Sequence, residues 1–338
     1  MAIEKAEAVR DSNFQSYYYD VKDSMDLELQ SLLPNIAELK LQRQIKYALQ
    51  TKGKRLRATL VLLSGESVGG NRGELRKVAL AIELLHLATL IHDDILDEDL
   101  FRRNALAVHA KWSVKEAVLA GDILASLSLV LCKGYRREIL DVMIDTCIQL
   151  SDGEYSDVEL AKTTLSEKEY FKKIEKKSAS LFKAACECGA LAANGSLSEM
   201  NALKFFGENY GVAYQIRDDI SDVEASKNDA PLDVDKFRST LPIIHAYENA
   251  SREKRARLEG LLSTKTKESL LSFLNELNVN LEKSGSLSYC ASKVDLYVDK
   301  AVAGLSPLKE SVFKDYLIHM AESLRIKEPK VGTQKIYL

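Results

Sequence analysis

Five prolines and sixteen glycines are all that punctuate 338 residues, far too few turn signals for an all-β chain. Side chains of the sort that line a helix recur instead at three- and four-residue steps, as in Leu75, Val78, Ile82, Leu85, Thr89 and Ile91, with no alternating β-branched run beside them. Such patterning predicts helices over roughly 13–33, 35–51, 55–68, 73–97, 114–133, 135–160, 166–194, 198–224 and 236–249, with several more between 253 and 325. The expected fold is all-α, a bundle of about ten or more helices. No linker rich in Gly, Ser or Pro divides it, so residues 1–338 are expected to form one domain, with 1–12 and 327–338 as loose ends. Gly69-Gly70-Asn71-Arg72-Gly73 and Asn194-Gly195-Ser196 separate helices, Ser196 or Ser198 can cap the next one, and Ala225 to Asp235 reads as a long polar loop.

The charge balance narrows the function. With 47 basic and 50 acidic residues the net charge is -3, so no global field favours nucleic acid, and any anion site must be assembled locally. The first ten residues lack the apolar core of a signal peptide, and no apolar run approaches membrane-spanning length. A cytoplasmic protein without stable membrane insertion is the expectation. The five cysteines, Cys132, Cys147, Cys186, Cys188 and Cys290, read as reduced core residues.

Two runs of one form carry the chemistry. Asp93-Asp94-Ile95-Leu96-Asp97 ends the apolar segment Glu83 to His92, and Asp218-Asp219-Ile220-Ser221-Asp222 ends a second one, Gly211 to Arg217. In a helix Asp93 and Asp97 stand one turn apart on one face, where carboxylates repel unless a cation lies between them. Acids at a helix C-terminus also oppose the macrodipole. Mg²⁺ suits such oxygen ligands because it keeps several waters and shares itself with phosphates. If the two helices face each other, they enclose a central cavity walled by carboxylates, able to hold Mg²⁺ and a diphosphate. Such a site needs basic neighbours. Gly53-Lys54-Arg55-Leu56-Arg57 opens a helix, Arg102-Arg103 follows the first acidic run, and Lys176-Lys177-Ser178 lies within a third apolar helix. His86 stands seven residues before Asp93, two turns away on the same face.

Taken together, GKRLR at 53–57, ELLHLATLIHDDILDED at 83–99, RR at 102–103, LAGDILAS at 119–126, KKSASLF at 176–182, YQIRDDISD at 214–222 and STLPII at 239–244 resemble the trans-type isoprenyl diphosphate (polyprenyl) synthases. The resemblance runs from about Lys52 to Pro242. It implies that Asp93, Asp94, Asp97, Lys177, Asp218, Asp219 and Asp222 form the catalytic group, with Asp93, Asp97 and Asp218 binding Mg²⁺. Lys54, Arg57 and His86, assisted by Arg103, would hold isopentenyl diphosphate, with Arg55 in the same basic run. Arg102, Lys177, Ser178 and Gln215 would contact the allylic diphosphate. A homodimer is implied as well. Where the family usually reads GKRLRP, RRGxPT and GKxTLP, this chain has Ala58, then Asn104, Leu106 and Ala107, then Phe237 and Arg238. Asn104 and Phe237 fall on loops that would close over the substrates.

The expected reaction is ionisation of the allylic diphosphate, attack on the cation by the double bond of isopentenyl diphosphate, and loss of a proton to the released diphosphate, with water excluded. The tail would run toward the N-terminal end of the helix carrying Asp93. Ala88 and Thr89, five and four residues before Asp93, are small, and Leu85 and Ile82 come next. With no aromatic plug there, a product of C20 or longer is expected, and Ala88→Phe should shorten it. A class I terpene cyclase would use similar acidic runs but needs no second diphosphate site. A noncatalytic subunit would be expected to lose one acidic run, and both remain.

Overall fold

Asn71 starts the central helix by accepting a hydrogen bond from the Gly73 amide at 2.8 Å, which satisfies one of the amides a helix leaves open at its first turn. The helix that follows, α4 (Arg72–Leu96), is buried on two flanks. One flank carries Leu75, Val78, Ile82 and Leu85 into the main core, and the other carries Leu80, Leu84, Leu87, Ala88 and Ile91 into a second cluster. A helix apolar over so much of its girth must be surrounded by others. The computed structural model describes residues 2–32, 38–160, 166–225, 239–262 and 284–326.

Around α4 lie α1 (Ala2–Ser31), α2 (Gln42–Leu49), α3 (Leu56–Ser67), the short α5 (Val108–Lys111), α6 (Val114–Leu131) and α7 (Arg137–Leu160). The chain continues through α8 (Glu167–Ile174), α9 (Ser180–Ala192), α10 (Leu197–Ala225), α11 (Leu241–Glu248), α12 (Arg252–Leu262), α13 (Ser286–Gly304) and α14 (Val312–Glu322). The fold is all-α, as the periodicity requires. α6 and α3 flank α4, α9 packs between α3 and α10, and α13 backs α10.

Several details differ from the sequence reading. α1 begins at Ala2 rather than near residue 13, because its opening AIEKAEAVR is free of Gly and Pro and rich in good helix formers. Residues 38–41 form turns, so α2 is shorter than the expected 35–51. The segment read as one helix over 166–194 contains a π-helical turn, Glu175–Ala179, between α8 and α9. A small antiparallel hairpin follows α4, pairing Phe101 with Leu106 and Arg102 with Ala105. Its two turn residues, Arg103 and Asn104, have φ of 51° and 63°, the geometry of a two-residue hairpin turn in which Asn is well tolerated. The Asn104 departure therefore fits its backbone. Ser196, not Ser198, caps α10, its hydroxyl accepting from the Glu199 amide at 3.3 Å. Phe237, Arg238, most of the polar loop and the tail 327–338 lie outside the described residues. All five cysteines are free, and four of them are buried.

Candidate active site

Helices α4 and α10 carry the two acidic runs, and Arg57 on α3 lies within electrostatic reach of both Asp93 and Asp218. Its surroundings include Asp93, Glu83, Tyr210 and Tyr214, while Asp218 is influenced by Lys54 and Arg57. The guanidinium rests 4.2 Å from the Phe182 ring centre and its Nη1 is 3.0 Å from His86 Nε2. Arginine can only donate, so Nε2 accepts and Nδ1 carries the imidazole proton. The Nε of Arg57 is buried without a partner. A buried charged donor of this kind is costly unless an acceptor arrives. Burial depresses the His86 pKa well below its usual value, and Arg57, Arg103, Arg55 and Arg102 push it the same way. His86 is thus a neutral group inside a cationic pocket.

Arg103 adds to that pocket from the hairpin turn. Its Nη1 donates to the Lys52 carbonyl at 2.7 Å, and a Cβ on Gly53 would sit 2.6 Å from that nitrogen. The glycine of the basic run is what lets the guanidinium lie across the chain. Lys54 is exposed at the same mouth, with its carbonyl accepting from the Tyr18 hydroxyl at 2.7 Å. Tyr214 is influenced by Asp218, Arg57, Arg103 and Asp222, in that order after burial.

On the other side of Asp93 stands Lys177, whose Nζ is 2.7 Å from Glu154 Oε2. The π-helical turn inserts an extra residue into the helix, a device that re-aims side chains. A Cβ on Gly153 would lie 2.6 Å from the Lys177 amide nitrogen, so α7 and the turn can approach this closely only with glycine there. Asp93 is pushed up to about 8, first by burial, then by Glu154 and Asp97, against the opposing pull of Lys177 and Arg102. Its Oδ1 is buried without a partner. Asp218 is raised by burial, opposed by Lys54 and Arg57. Carboxylates in this condition fit a divalent cation. Among the described residues no three acidic, His or Cys side chains converge tightly enough to hold one alone; the donor set suits Mg²⁺, which completes its sphere with phosphate oxygens and water.

Some residues singled out in the sequence do other work. Arg55, at φ 53°, is buried and spends its guanidinium on Asp26 at 2.7 Å, Glu83 at 3.3 Å and the Thr51 carbonyl at 2.9 Å. It braces α3 on α1 and α4. The middle aspartate of each acidic run is likewise a brace. Asp94 is buried and pairs with Arg102 Nε, fixing the hairpin on α4. Asp219 is buried and accepts from Gln215 Nε2 at 3.0 Å, the Tyr170 hydroxyl at 2.8 Å and the Leu241 amide at 3.0 Å. Burial still raises its pKa to about 6 despite those donors. Gln215 in turn accepts from Ser178 at 2.6 Å, so its amide orientation is set from both ends. Ala88 sits in the seam with α6 and α2, whereas Ile82 and Leu85 belong to the main core and Thr89 is half-buried with its hydroxyl on the His86 carbonyl at 2.8 Å.

Glu154, Tyr170 and Tyr214 also belong to the site, beside Asp93, Asp219 and Asp218 respectively, and Glu154 and Tyr170 lie outside the motifs of the sequence. Glu154 had a readable signal. Ile139, Met143, Leu150 and Glu154 share one face of α7, and the first three are buried, so a carboxylate continues a buried apolar stripe. Tyr170 on α8 and Tyr214 on α10 carry no such mark, each lying near other aromatic residues of its own helix.

An all-α bundle whose helix ends bring two aspartate runs against a cationic pocket defines a protein class that handles diphosphates. Residues 38–277 match the profile of the polyprenyl synthetase family, and the chain belongs to that family. It is 34% identical over 313 residues to the short chain isoprenyl diphosphate synthase of Methanothermobacter thermautotrophicus, covering 90% of this chain and 95% of that one. It is 30% identical over 319 residues to the geranylgeranyl diphosphate synthase of Methanosarcina mazei, covering 90% and 95%. Among solved structures, the geranylgeranyl pyrophosphate synthetase of Pyrococcus horikoshii superposes with a TM-score of 0.85 at 29% identity, covering 94% of this chain and 100% of that one.

Proposed function

We propose that this chain is a prenyltransferase that joins isopentenyl diphosphate to an allylic diphosphate with Mg²⁺ and releases a trans-polyprenyl diphosphate of C20 or longer. The observation that carries the reading is Arg57, within electrostatic reach of both Asp93 and Asp218, with an unpartnered buried Nε and with His86 held neutral beside it. One diphosphate suits the carboxylate side with Lys177, Ser178, Gln215 and Arg102; a second suits Lys54, Arg57, His86 and Arg103. Two anion sites distinguish a condensing enzyme from a terpene cyclase.

Asp93, Asp97 and Asp218 would hold Mg²⁺, which supplies counter-charge to the departing diphosphate. Lys177 adds a positive charge on the same side, where charge develops as the allylic C–O bond breaks. Arg57 and Arg103 hold the isopentenyl group so that its terminal alkene carbon forms the new C–C bond, a gain from orientation. The proton lost in the final elimination passes to the released diphosphate. The stripe of α4 that leads from Asp93 through Thr89, Leu85 and Ile82 carries no aromatic side chain, which supports a product of C20 or longer. Among the relatives, the names geranylgeranyl and octaprenyl diphosphate synthase support a product in that range.

We also propose a cytoplasmic homodimer. α6 and α7 expose Val114, Val118, Leu119, Ile144 and Ile148, and the hairpin exposes Phe101 and Leu106, an apolar face of the kind that covers itself with a second copy. The free cysteines suit a reducing compartment. Incubation of the purified chain with geranylgeranyl or farnesyl diphosphate, labelled isopentenyl diphosphate and Mg²⁺ tests the function. Diphosphate release that depends on isopentenyl diphosphate, with chain-extended product, is expected. Release without isopentenyl diphosphate, or none from the chain alone, would overturn the reading.

A further inference from the structure

Glu154 is the carboxylate that the acidic runs do not account for. Its side chain is 16% exposed and lies 2.7 Å from Lys177 Nζ, itself 23% exposed. After burial it has the largest influence on Asp93, ahead of Lys177, Asp97 and Arg102. Arg102 is already engaged with Asp94. The contact is built in rather than incidental, because the π-helical turn and the bare Cα of Gly153 bring the two backbones together.

We infer that Glu154 makes the allylic site select metal-bound over free diphosphate. This rests on the reading above that Asp93, Asp97 and Lys177 face a diphosphate. A bare diphosphate arriving there meets the acidic side chains of Asp93, Asp97 and Glu154, and drawing Lys177 onto itself weakens the ion pair that offsets Glu154, a costly result in a partly desolvated site. A diphosphate that brings Mg²⁺ gives the carboxylates a cation, and the ammonium can then be shared with phosphate oxygen at little cost. Glu154 thereby acts as a positioning residue for Lys177: it holds a flexible ammonium in one place and withholds it from the wrong form of the ligand. Removing its charge should favour the free anion and hardly change the metal-bound one.

The probe is inorganic diphosphate, titrated calorimetrically into the whole protein with Mg²⁺ or with a chelator. Glu154→Gln is expected to bind metal-free diphosphate about tenfold more tightly than the unaltered chain, as loss of one nearby like charge allows, with an affinity in Mg²⁺ changed by no more than about threefold. The gain should vanish in the Glu154→Gln, Lys177→Met double variant, which separates it from anion binding at Arg57 and Arg103. Glu154→Asp, which only shortens the side chain, should show a smaller gain in the same direction and serves if the Gln variant folds poorly. Unchanged or weaker metal-free binding in both variants overturns the inference, as does a gain that survives loss of Lys177 or appears equally with Mg²⁺. Isopentenyl-dependent turnover by the unaltered chain tests the enzyme reading separately, since this calorimetric contrast requires no turnover.

Discussion

Arg57 Nη1 lies 3.0 Å from His86 Nε2, so one side chain that is always charged and one that burial keeps neutral form a single anion-facing pair across α3 and α4. With Nε2 accepting one Nη1 proton, Arg57 keeps its Nε and remaining Nη protons, and His86 its Nδ1 proton, as donors toward a ligand. Arg57→Leu is expected to lower kcat/KM for isopentenyl diphosphate by about a hundredfold or more, the scale for losing a charged donor at a reacting anion. KM for the allylic diphosphate should move much less. Steady-state kinetics with each substrate varied in turn decides it; an equal rise in both KM values would remove Arg57 from the second site.

His86 gives a pH signature. Its folded pKa lies below the ordinary imidazole value because of burial and four arginines. Near pH 6 the unfolded chain therefore binds a proton that the folded chain refuses, and stability falls as pH drops below about 6.5, where the unfolded imidazole titrates. Between about pH 6.5 and 5.5 this term is worth up to about 1 kcal/mol. His86→Gln should lose it, so the difference in melting temperature between the two proteins should change in favour of the variant as pH falls. A constant difference from pH 7.5 to about 5.5 would mean that His86 titrates normally.

Helical periodicity made most of the architecture legible, since a stripe such as Leu75, Val78, Ile82 and Leu85 has only one economical way to be buried. The π-helical turn was not legible, because EKKSA has the composition of any exposed helical turn and the extra residue follows from packing against Gly153. Among the acids, types and spacing located the cleft but did not separate facing carboxylates from braces. Asp94 and Asp219 look identical to their neighbours until Arg102, Tyr170 and the Leu241 amide are placed. Ala88 does not share the Asp93 face of α4. At about 100° per residue it lies about 140° round from Asp93, whereas Thr89 lies only about 40° away.

The brace at Asp219 can be told from a metal ligand. Asp219→Ala would leave the Tyr170 hydroxyl, the Gln215 amide and the Leu241 amide without their acceptor, and each unpaired buried donor costs about 1–3 kcal/mol. A large drop in melting temperature is expected even without Mg²⁺. Asp218→Ala, next to it in sequence, should melt close to the unaltered protein yet lose most turnover. Thermal denaturation with a chelator present compares them, and equal melting temperatures would show that Asp219 is not structural.

The product ruler follows from the same geometry. Thr89 is half-buried on the stripe that leads down from Asp93, and Ala88 is 2% exposed in the α4–α6 seam. A phenylalanine at 89 can therefore project along the tail's path. One at 88 must first push α6 away, and overpacking of that kind costs about 1–3 kcal/mol. Thr89→Phe is expected to shorten the product by one or more isoprene units with little change in melting temperature, while Ala88→Phe should show a clear loss of stability whatever it does to length. Chromatography of the dephosphorylated products, paired with melting curves, distinguishes the two. Full-length product from a folded Thr89→Phe enzyme would mean that the tail runs along a different face of α4.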